Sequence, residues 1–150
     1  MTENRVVESI QIDAPPERVW ELIMDPRCLA RWVTIHRKLG KAPPGTLDQG
    51  DELVQTLCLR GANFKVRWTV AELEAPRLAV WEGRGPARSK ARTAYRLSAD
   101  GNGGTRFDYE NEFKAPLGPL GAAASRALVG GLPAREAKAS LQRLKALLES

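Results

Sequence analysis

Five polar side chains recur at alternate positions of three strand-like segments, each among apolar neighbours. They are Gln55 in residues 52–59, Thr93 and Tyr95 in residues 89–98, and Tyr109 and Asn111 in residues 105–114. Because successive side chains of a strand point to opposite faces, these groups share one face with hydrophobic residues. Hydroxyl and amide groups in an apolar wall can orient a lipophilic molecule that carries one or two polar groups. The alternative is a filled core, where the same groups satisfy one another or bind water.

Catalytic motifs are absent from the sequence. It contains no nucleophile elbow, no phosphate-binding glycine loop and no metal-ligand cluster. His36 is the single histidine, and its basic neighbours Arg37 and Lys38 favour a surface position over a role in acid–base chemistry. Cys28 and Cys58 do not form a zinc pattern with one histidine, so we expect no metal, no cofactor and no disulfide.

The elements that would position these residues begin with one strand and end with a long helix. A strand up to Ile12 leads into a helix that starts at Pro15-Pro16, where a missing backbone N–H costs nothing and Asp13 is placed to act as its cap. A second short helix follows Asp25-Pro26, and six strand patterns come next. From Leu117 onward the apolar spacing is helical, with an interruption at Gly130–Pro133.

Turn positions predict how neighbouring strands pair. If Gly101 centres the last hairpin, Arg92 lies opposite Glu110 and Lys90 opposite Glu112 on the outer face. A turn at Gly61 similarly pairs residues 53–59 with residues 64–70. The register near Trp81 stays open, because Val80 and Trp81 each fit an inward position.

The opening of the chain resembles the START-like superfamily, also called the birch-pollen-allergen fold. Within it, the chain is most similar to the polyketide cyclase/dehydrase and lipid-transport family. The resemblance is carried by the strand ending at Ile12, by residues 14–20, by Asp25-Pro26, and by Leu29 with Trp32. It implies an α+β helix-grip fold, in which a seven-stranded antiparallel sheet wraps around a long C-terminal helix and two short helices follow the first strand. It also implies a cavity between sheet and helix, but no particular reaction, and we match no catalytic residue of the family to this chain.

The inner strand faces and the C-terminal helix supply the residues that would line such a cavity. The predicted ligand-binding residues are Gln55, Leu57, Phe64, Val66, Trp68, Trp81, Thr93, Tyr95, Phe107, Tyr109, Asn111, Phe113 and Leu128. We expect Glu82 and Arg84 to lie near the mouth of the cavity. We expect the loop of residues 40–50 to act as its lid. Trp20 and Trp32 are interpreted as structural residues of the short helices.

Length and charge limit the remaining possibilities. A chain of 150 residues is most simply one domain, here residues 1–150, with a sizeable core. The net charge of +5 comes from basic residues spread among acids, so we expect no nucleic-acid partner. No apolar run is long enough to cross a membrane and the N-terminus is polar, so we expect a cytoplasmic protein without membrane insertion. The oligomeric state is left open.

Three functions remain compatible with these observations. The first is non-catalytic binding or transport of a small lipophilic molecule in an internal cavity. The second is a polyketide aromatase/cyclase or dehydratase, in which Tyr95, Tyr109, Asn111 and His36 would orient the substrate and move protons. The third is a regulatory module that uses the outer sheet or the terminal helix to contact another protein.

Overall fold

The computed structural model describes residues 3–114 and 132–150. These residues include seven strands: β1 (Glu3–Ile12), β2 (His36–Leu39), β3 (Glu52–Leu59), β4 (Ala62–Glu74), β5 (Leu78–Arg84), β6 (Lys90–Ala99) and β7 (Thr105–Lys114). The α-helices are α1 (Pro16–Ile23), α2 (Leu29–Trp32) and α3 (Leu132–Glu149), and short 3₁₀ turns lie at Pro26–Cys28 and Pro86–Arg88. The predicted helical segment that begins at Leu117 falls outside the described residues until Leu132.

The seven strands form one antiparallel sheet in the order β1-β7-β6-β5-β4-β3-β2. Strands β2 to β7 follow one another along the sheet, and β1 closes its far edge against β7. The helices α1 and α2 connect β1 to β2, and these two strands form the opposite edges of the sheet. Helix α3 packs against β1 and α2. This is the α+β helix-grip fold that the resemblance of the opening segment implied.

The hairpin between β6 and β7 has a different register from the predicted one. Arg92 pairs with Glu112 instead of Glu110, and Lys90 pairs with Lys114. The loop is longer than a turn centred on Gly101, because the Asp100 carboxylate accepts hydrogen bonds from the backbone N–H groups of Asn102 and Gly104. The slip is two residues, so every side chain keeps its predicted face.

The strand pairs around Gly61 and Trp81 determine the rest of the inner face. Leu57 pairs with Phe64 and Gln55 with Val66, so the register of β3 and β4 differs by two residues from the one predicted for a turn at Gly61-Ala62, and each side chain keeps its predicted face. Trp81 pairs with Val70, and the irregularity between Val70 and Glu72 follows this pair, so that Val80 pairs with Glu72. Trp81 therefore lies on the inner face, while its neighbour Val80 pairs with Ala94 and is also buried.

The entrance to α1 is built without the predicted cap. Pro15 is the N-cap residue and provides no side-chain hydrogen bond. The Asp13 carboxylate instead accepts a hydrogen bond from Gln11 Nε2 at 2.8 Å, and the Asp13 backbone N–H donates to Glu149 at the end of α3. Proline at the N-cap and N1 already supplies the backbone geometry of a helix start, so α1 begins without the Asp13 carboxylate. The backbone N–H of Asp13 joins the end of β1 to α3.

The core lies between the sheet and the helices. Its fully buried side chains come from β1, α1, α2 and β7, and they include Ile12, Val19, Trp32 and Phe107. Helix α3 contributes Leu141, Leu144 and Leu148, which recur at helical spacing on one face. The remaining space between α3 and the sheet is a cavity.

Candidate functional site

A cavity of about 490 Å³ lies between the inner face of the sheet and α3. Strands β3, β4, β6 and β7 form its wall, and Pro133, Glu136, Ala137, Ser140 and Leu141 of α3 lie across from them. The wall is mostly apolar. Alternation along each strand positions these residues, because every second side chain points inward. Among the residues of 3–114 and 132–150, those predicted to line the site and found there are Gln55, Leu57, Phe64, Val66, Trp68, Trp81, Thr93, Tyr95, Tyr109, Asn111 and Phe113.

One predicted lining residue is not in that wall. Phe107 is fully buried below the cavity and does not line it. Its ring packs 5.4 Å from that of Tyr95 and 6.4 Å from that of Trp32, between centroids, so it supports the aromatic floor. The prediction assigned every inward residue of β7 to the cavity, whereas the first residues of this strand pack in the core. Leu128 lies outside the described residues.

Tyr95 is the centre of an aromatic cluster at the cavity floor. The centroid of its ring lies 6.0 Å from that of Trp32, 5.9 Å from that of Trp81 and 6.1 Å from that of Tyr109. The first two pairs meet edge to face, an arrangement that aromatic rings favour. Trp32 was interpreted as purely structural, yet it both fills the core and lines the cavity.

The tyrosine, threonine and amide groups of this wall are neutral near physiological pH. Burial raises the pKa of Tyr109 to about 12, and burial together with the nearby Tyr109 raises the pKa of Tyr95 still further. Thr93 Oγ1 donates a 3.0 Å hydrogen bond to Asn111 Oδ1 across β6 and β7. Both tyrosines are therefore hydroxyl donors and acceptors, and neither is a base at neutral pH.

A hydrogen-bonded chain links the cavity wall to His36. Trp68 Nε1 donates to Gln55 Oε1 at 2.9 Å, so the other end of this amide, Nε2, faces His36 Nδ1 at 2.9 Å. Since Nε2 only donates, His36 Nδ1 accepts and the ring proton is on Nε2. Partial burial lowers the pKa of His36, which keeps this neutral form. The predicted surface position of His36 is thus only half correct, because the residue supports the wall through Gln55 without lining the cavity.

Helix α3 and the turn after α2 form a second polar group that the sequence analysis missed. Ser140 Oγ accepts a 2.9 Å hydrogen bond from the Thr34 backbone N–H, and Thr34 Oγ1 donates to the Glu136 carboxylate. Glu136 and Ser140 line the cavity. Their spacing of four residues on the face that carries Leu141 and Leu144 was the available signal, because such residues are neighbours on a helix.

The residues predicted at the mouth and in the lid do not line the cavity. Glu82 is exposed on the outer face, where its carboxylate pairs with Arg92 at 3.3 Å, and Arg84 also belongs to that face. In the loop of residues 40–50, Leu47 is buried in the core and its backbone N–H bonds to Met24. No residue of this loop lines the cavity. Within the described residues, the rim instead includes Ala62 and Asn63 at the start of β4, Pro86 before β6 and Lys90 at the start of β6.

The described residues contain neither a metal-ion site nor a membrane-spanning helix. In residues 3–114 and 132–150, no group of three or more His, Cys, Asp and Glu side chains is arranged to hold a metal ion. None of the helices in the same ranges is long and apolar enough to span a membrane.

Comparisons with known proteins agree with this architecture. Two Mycobacterium tuberculosis proteins, one named Toxin Rv0910 and the other the uncharacterized protein Rv1546, are each 26% identical to this chain. The alignment with Toxin Rv0910 covers 80% of this chain and 84% of that protein. The alignment with Rv1546 covers 81% of this chain and 86% of that protein.

Solved structures share the fold at low sequence identity. The Zhui aromatase/cyclase from Streptomyces sp. R1128 superposes with a TM-score of 0.76 at 16% identity, covering 99% of this chain and 94% of that one. Protein CV1439 from Chromobacterium violaceum superposes with a TM-score of 0.73 at 19% identity, covering 98% of both chains. The family model described as polyketide cyclase / dehydrase and lipid transport matches residues 3–149. The chain therefore belongs to the polyketide cyclase/dehydrase and lipid transport family.

Proposed function

We propose that this protein binds and carries a small lipophilic molecule in the cavity between its sheet and α3. The observation that carries the proposal is the cavity itself, about 490 Å³ in volume and lined mainly by apolar side chains. Pockets of a few hundred Å³ with a mostly hydrophobic wall are typical of small-molecule sites. The family description, which includes lipid transport, supports the same function.

The chemistry of the wall favours binding over reaction. Tyr95 and Tyr109 stay protonated near neutral pH, since burial raises the pKa of both hydroxyls, so neither is a general base. His36 contacts Gln55 and does not line the cavity. These groups orient a ligand by hydrogen bonds and do not supply an activated acid or base. We place this binding in the cytoplasm, which is consistent with Cys28 and Cys58 being free thiols.

The proposal is tested by filling the cavity from the helix. Ala137 lines the cavity, whereas Ala139 is exposed on the same helix. We expect Ala137→Phe to reduce affinity for the neutral fluorescent probe N-phenyl-1-naphthylamine by about tenfold or more, because the added ring occupies the ligand volume. Ala139→Phe should bind the probe as the wild type does. Equal binding by the two variants, or no binding by the wild type, would refute the proposal.

A second candidate function is cyclisation or dehydration of a polyketide-like substrate. The observation in its favour is that Tyr95, Tyr109 and Asn111 meet on one part of the wall, where they can hold a substrate chain in a folded shape. In that case product formation from a poly-ketone chain should fall in the Tyr95→Phe and Tyr109→Phe variants. Turnover that survives both substitutions would exclude this candidate.

A further inference from the structure

Charged side chains on the outer face of the sheet form a balanced row across four strands. At one register position, the side chains from β5 through β6 and β7 to β1 are Glu82, Arg92, Glu112 and Arg5. Opposite charges alternate along this row, and Arg92 contacts the Glu82 carboxylate at 3.3 Å. Cross-strand pairs of this kind stabilise a sheet.

The adjacent row on the same face contains only cations on four neighbouring strands. From β4 through β5 and β6 to β7, its members are Arg67, Arg84, Lys90 and Lys114, and we call them the cationic row. Like charges that lie directly opposite each other destabilise a sheet. In the part of the chain that the structure describes, no ion pair joins Arg67, Arg84 or Lys90 to an acidic residue. The row therefore lacks the counter-charges that its neighbour has.

The cationic row borders the mouth of the cavity. Arg84 is the last residue of β5, and Lys90 is both the first residue of β6 and part of the cavity rim. Beside the mouth, a groove of about 320 Å³ opens on the outer face. It is lined by Val54, Lys65, Arg67, Arg84, Gly85 and Pro86, and the last two of these also line the cavity. An anion in this groove would lie next to the opening.

The composition of this surface favours an anionic membrane over other anionic partners. Interfaces between proteins are anchored by aromatic or large side chains in packed pockets. Among the described residues, Val7 is the one large hydrophobic side chain that is exposed, and it lies outside the row. Single-stranded nucleic acids bind by stacking on aromatic side chains, and the row has none. Adsorption to anionic lipids needs only clustered lysine and arginine.

We propose that the cationic row, together with Lys65, docks this protein on an anionic membrane surface with the mouth of the cavity turned toward the lipid. The lipid phosphates supply the negative charges that the row lacks. Docking is reversible and weakens as salt rises, because it depends on charge and not on an inserted apolar anchor. The inference goes beyond the proposed function, since docking requires no ligand in the cavity.

Co-sedimentation with lipid vesicles tests the docking. One vesicle preparation contains phosphatidylcholine alone, and the other contains phosphatidylcholine mixed with phosphatidylglycerol. We expect the wild type to bind the mixed vesicles, to leave the neutral ones, and to dissociate as salt is added. In Arg67→Gln/Arg84→Gln, the partition coefficient for the mixed vesicles should fall about tenfold or more, because each basic residue at an anionic surface contributes to binding.

The matched control is Arg96→Gln/Arg106→Gln, which removes the same charge from a balanced part of the outer face. There Arg96 pairs with Glu110 and Arg106 with Asp108. The arginines of both double variants are exposed, so both chains should fold, and circular dichroism checks this. The control should bind the mixed vesicles far better than Arg67→Gln/Arg84→Gln does.

The orientation on the membrane is tested with a polarity-sensitive fluorophore. It is attached through Asn63→Cys at the cavity rim or through Asn102→Cys in the β6–β7 loop, each in a Cys28→Ser/Cys58→Ser background. On mixed vesicles, emission from the rim position should shift to shorter wavelength, and emission from the loop position should not. A shift at the loop alone, or at both positions equally, would refute the orientation.

Three results would overturn the docking itself. They are failure of the wild type to bind the mixed vesicles, equal loss of binding in the two double variants, and binding to a DNA duplex without binding to vesicles. Equal loss would mean that net charge matters and the row does not. Binding of N-phenyl-1-naphthylamine is measured without vesicles, so each of these results leaves the proposed function to its own test.

Discussion

His36 shows how a single residue outside the cavity can influence its wall. Its Nδ1 accepts a hydrogen bond from Gln55 Nε2, and Gln55 Oε1 in turn accepts a hydrogen bond from Trp68 Nε1. Protonation of His36 would place an N–H on Nδ1, directly against the N–H of the amide. Rotating the amide would only move the conflict to Trp68, whose indole can donate but not accept. The neutral imidazole is therefore part of the folded structure.

We predict that the free energy of unfolding falls as pH drops below the ordinary pKa of histidine, 6.5. Burial lowers the folded-state pKa of His36, so the unfolded chain takes up the proton first as pH falls. The loss should continue until pH reaches the lowered folded-state value. Denaturant unfolding from about pH 7.5 to about pH 5 measures it, since the side-chain carboxyl groups titrate mainly below this range.

The matched variant for this prediction is His36→Asn, whose side-chain oxygen can accept from Gln55 without titrating. Because the chain has one histidine, the pH dependence in this range should be largely lost in the variant. A pH dependence that is as steep in His36→Asn as in the wild type would contradict the assigned role.

The sequence predicted the positions of some cavity residues correctly and those of others wrongly. The period of two along β3, β4, β6 and β7 was enough to place Gln55, Tyr95 and Asn111 on the inner face. The pattern does not show where along a strand the core ends and the cavity begins, which is why Phe107 was misplaced. It also did not show that Trp32, on a short helix, reaches the cavity, because that depends on how α2 packs against α3.

At the level of elements, the approach of β5 to β4 depends on a glycine. Gly83 pairs with Trp68, and a Cβ at position 83 would lie 2.7 Å from the Trp68 ring and 2.9 Å from Val66. The indole therefore lies across the backbone of β5, where only a residue without a side chain leaves room. This contact holds Trp68 in position to donate to Gln55.

We expect Gly83→Ala to lower the free energy of unfolding by about 1–3 kcal/mol, because the added methyl group overpacks a filled contact. It should also weaken binding of N-phenyl-1-naphthylamine, since the indole has to leave its place in the cavity wall. The double variant Gly83→Ala/Trp68→Leu removes the clash, so the cost of the alanine should shrink in that background. An equal cost in both backgrounds would show that the Trp68 contact does not matter.

Helix α3 is held against the rest of the fold by one apolar face and by its final turn. Leu144 is fully buried, and Leu147 is only partly buried on the same helix. Near its end, Lys145 Nζ donates to the Gln11 carbonyl at 2.7 Å, and the Glu149 carboxylate accepts from the Asp13 backbone. These contacts fix α3 to β1 at the end of the core.

Truncating these two leucines should therefore have unequal effects on stability. Leu144→Ala should lower the free energy of unfolding by about 2–5 kcal/mol, because it leaves a cavity in a fully packed region. Leu147→Ala should cost clearly less, and chemical denaturation measures both. Equal losses would contradict the position of α3 over the core.

Most elements could be predicted because their signals are local. Alternation, the proline-rich start of α1 and the glycine-rich turns each act within a few residues. The register of the β6–β7 hairpin was wrong by two residues, since it depends on how the Asp100 carboxylate organises the loop. The absent cap at Asp13 has a similar cause, because the contact with Glu149 joins residues far apart in the sequence.

For the whole molecule, the order of elements and the opening segment were sufficient to predict the fold. The volume of the cavity could not be predicted, because it depends on how far α3 stands from the sheet and on side-chain conformations such as that of Trp68. The same holds for the hydrogen bonds of its wall, because the partners of Gln55 and Asn111 lie on other strands.

Native mass spectrometry of the protein, purified gently from its own host, tests the central claim most directly. We predict a small-molecule adduct on the wild type and on Ala139→Phe, and its loss from Ala137→Phe, whose added ring occupies the cavity. The same adduct on Ala137→Phe, or the bare chain mass for all three proteins, would contradict the claim that the cavity between the sheet and α3 holds a lipophilic ligand.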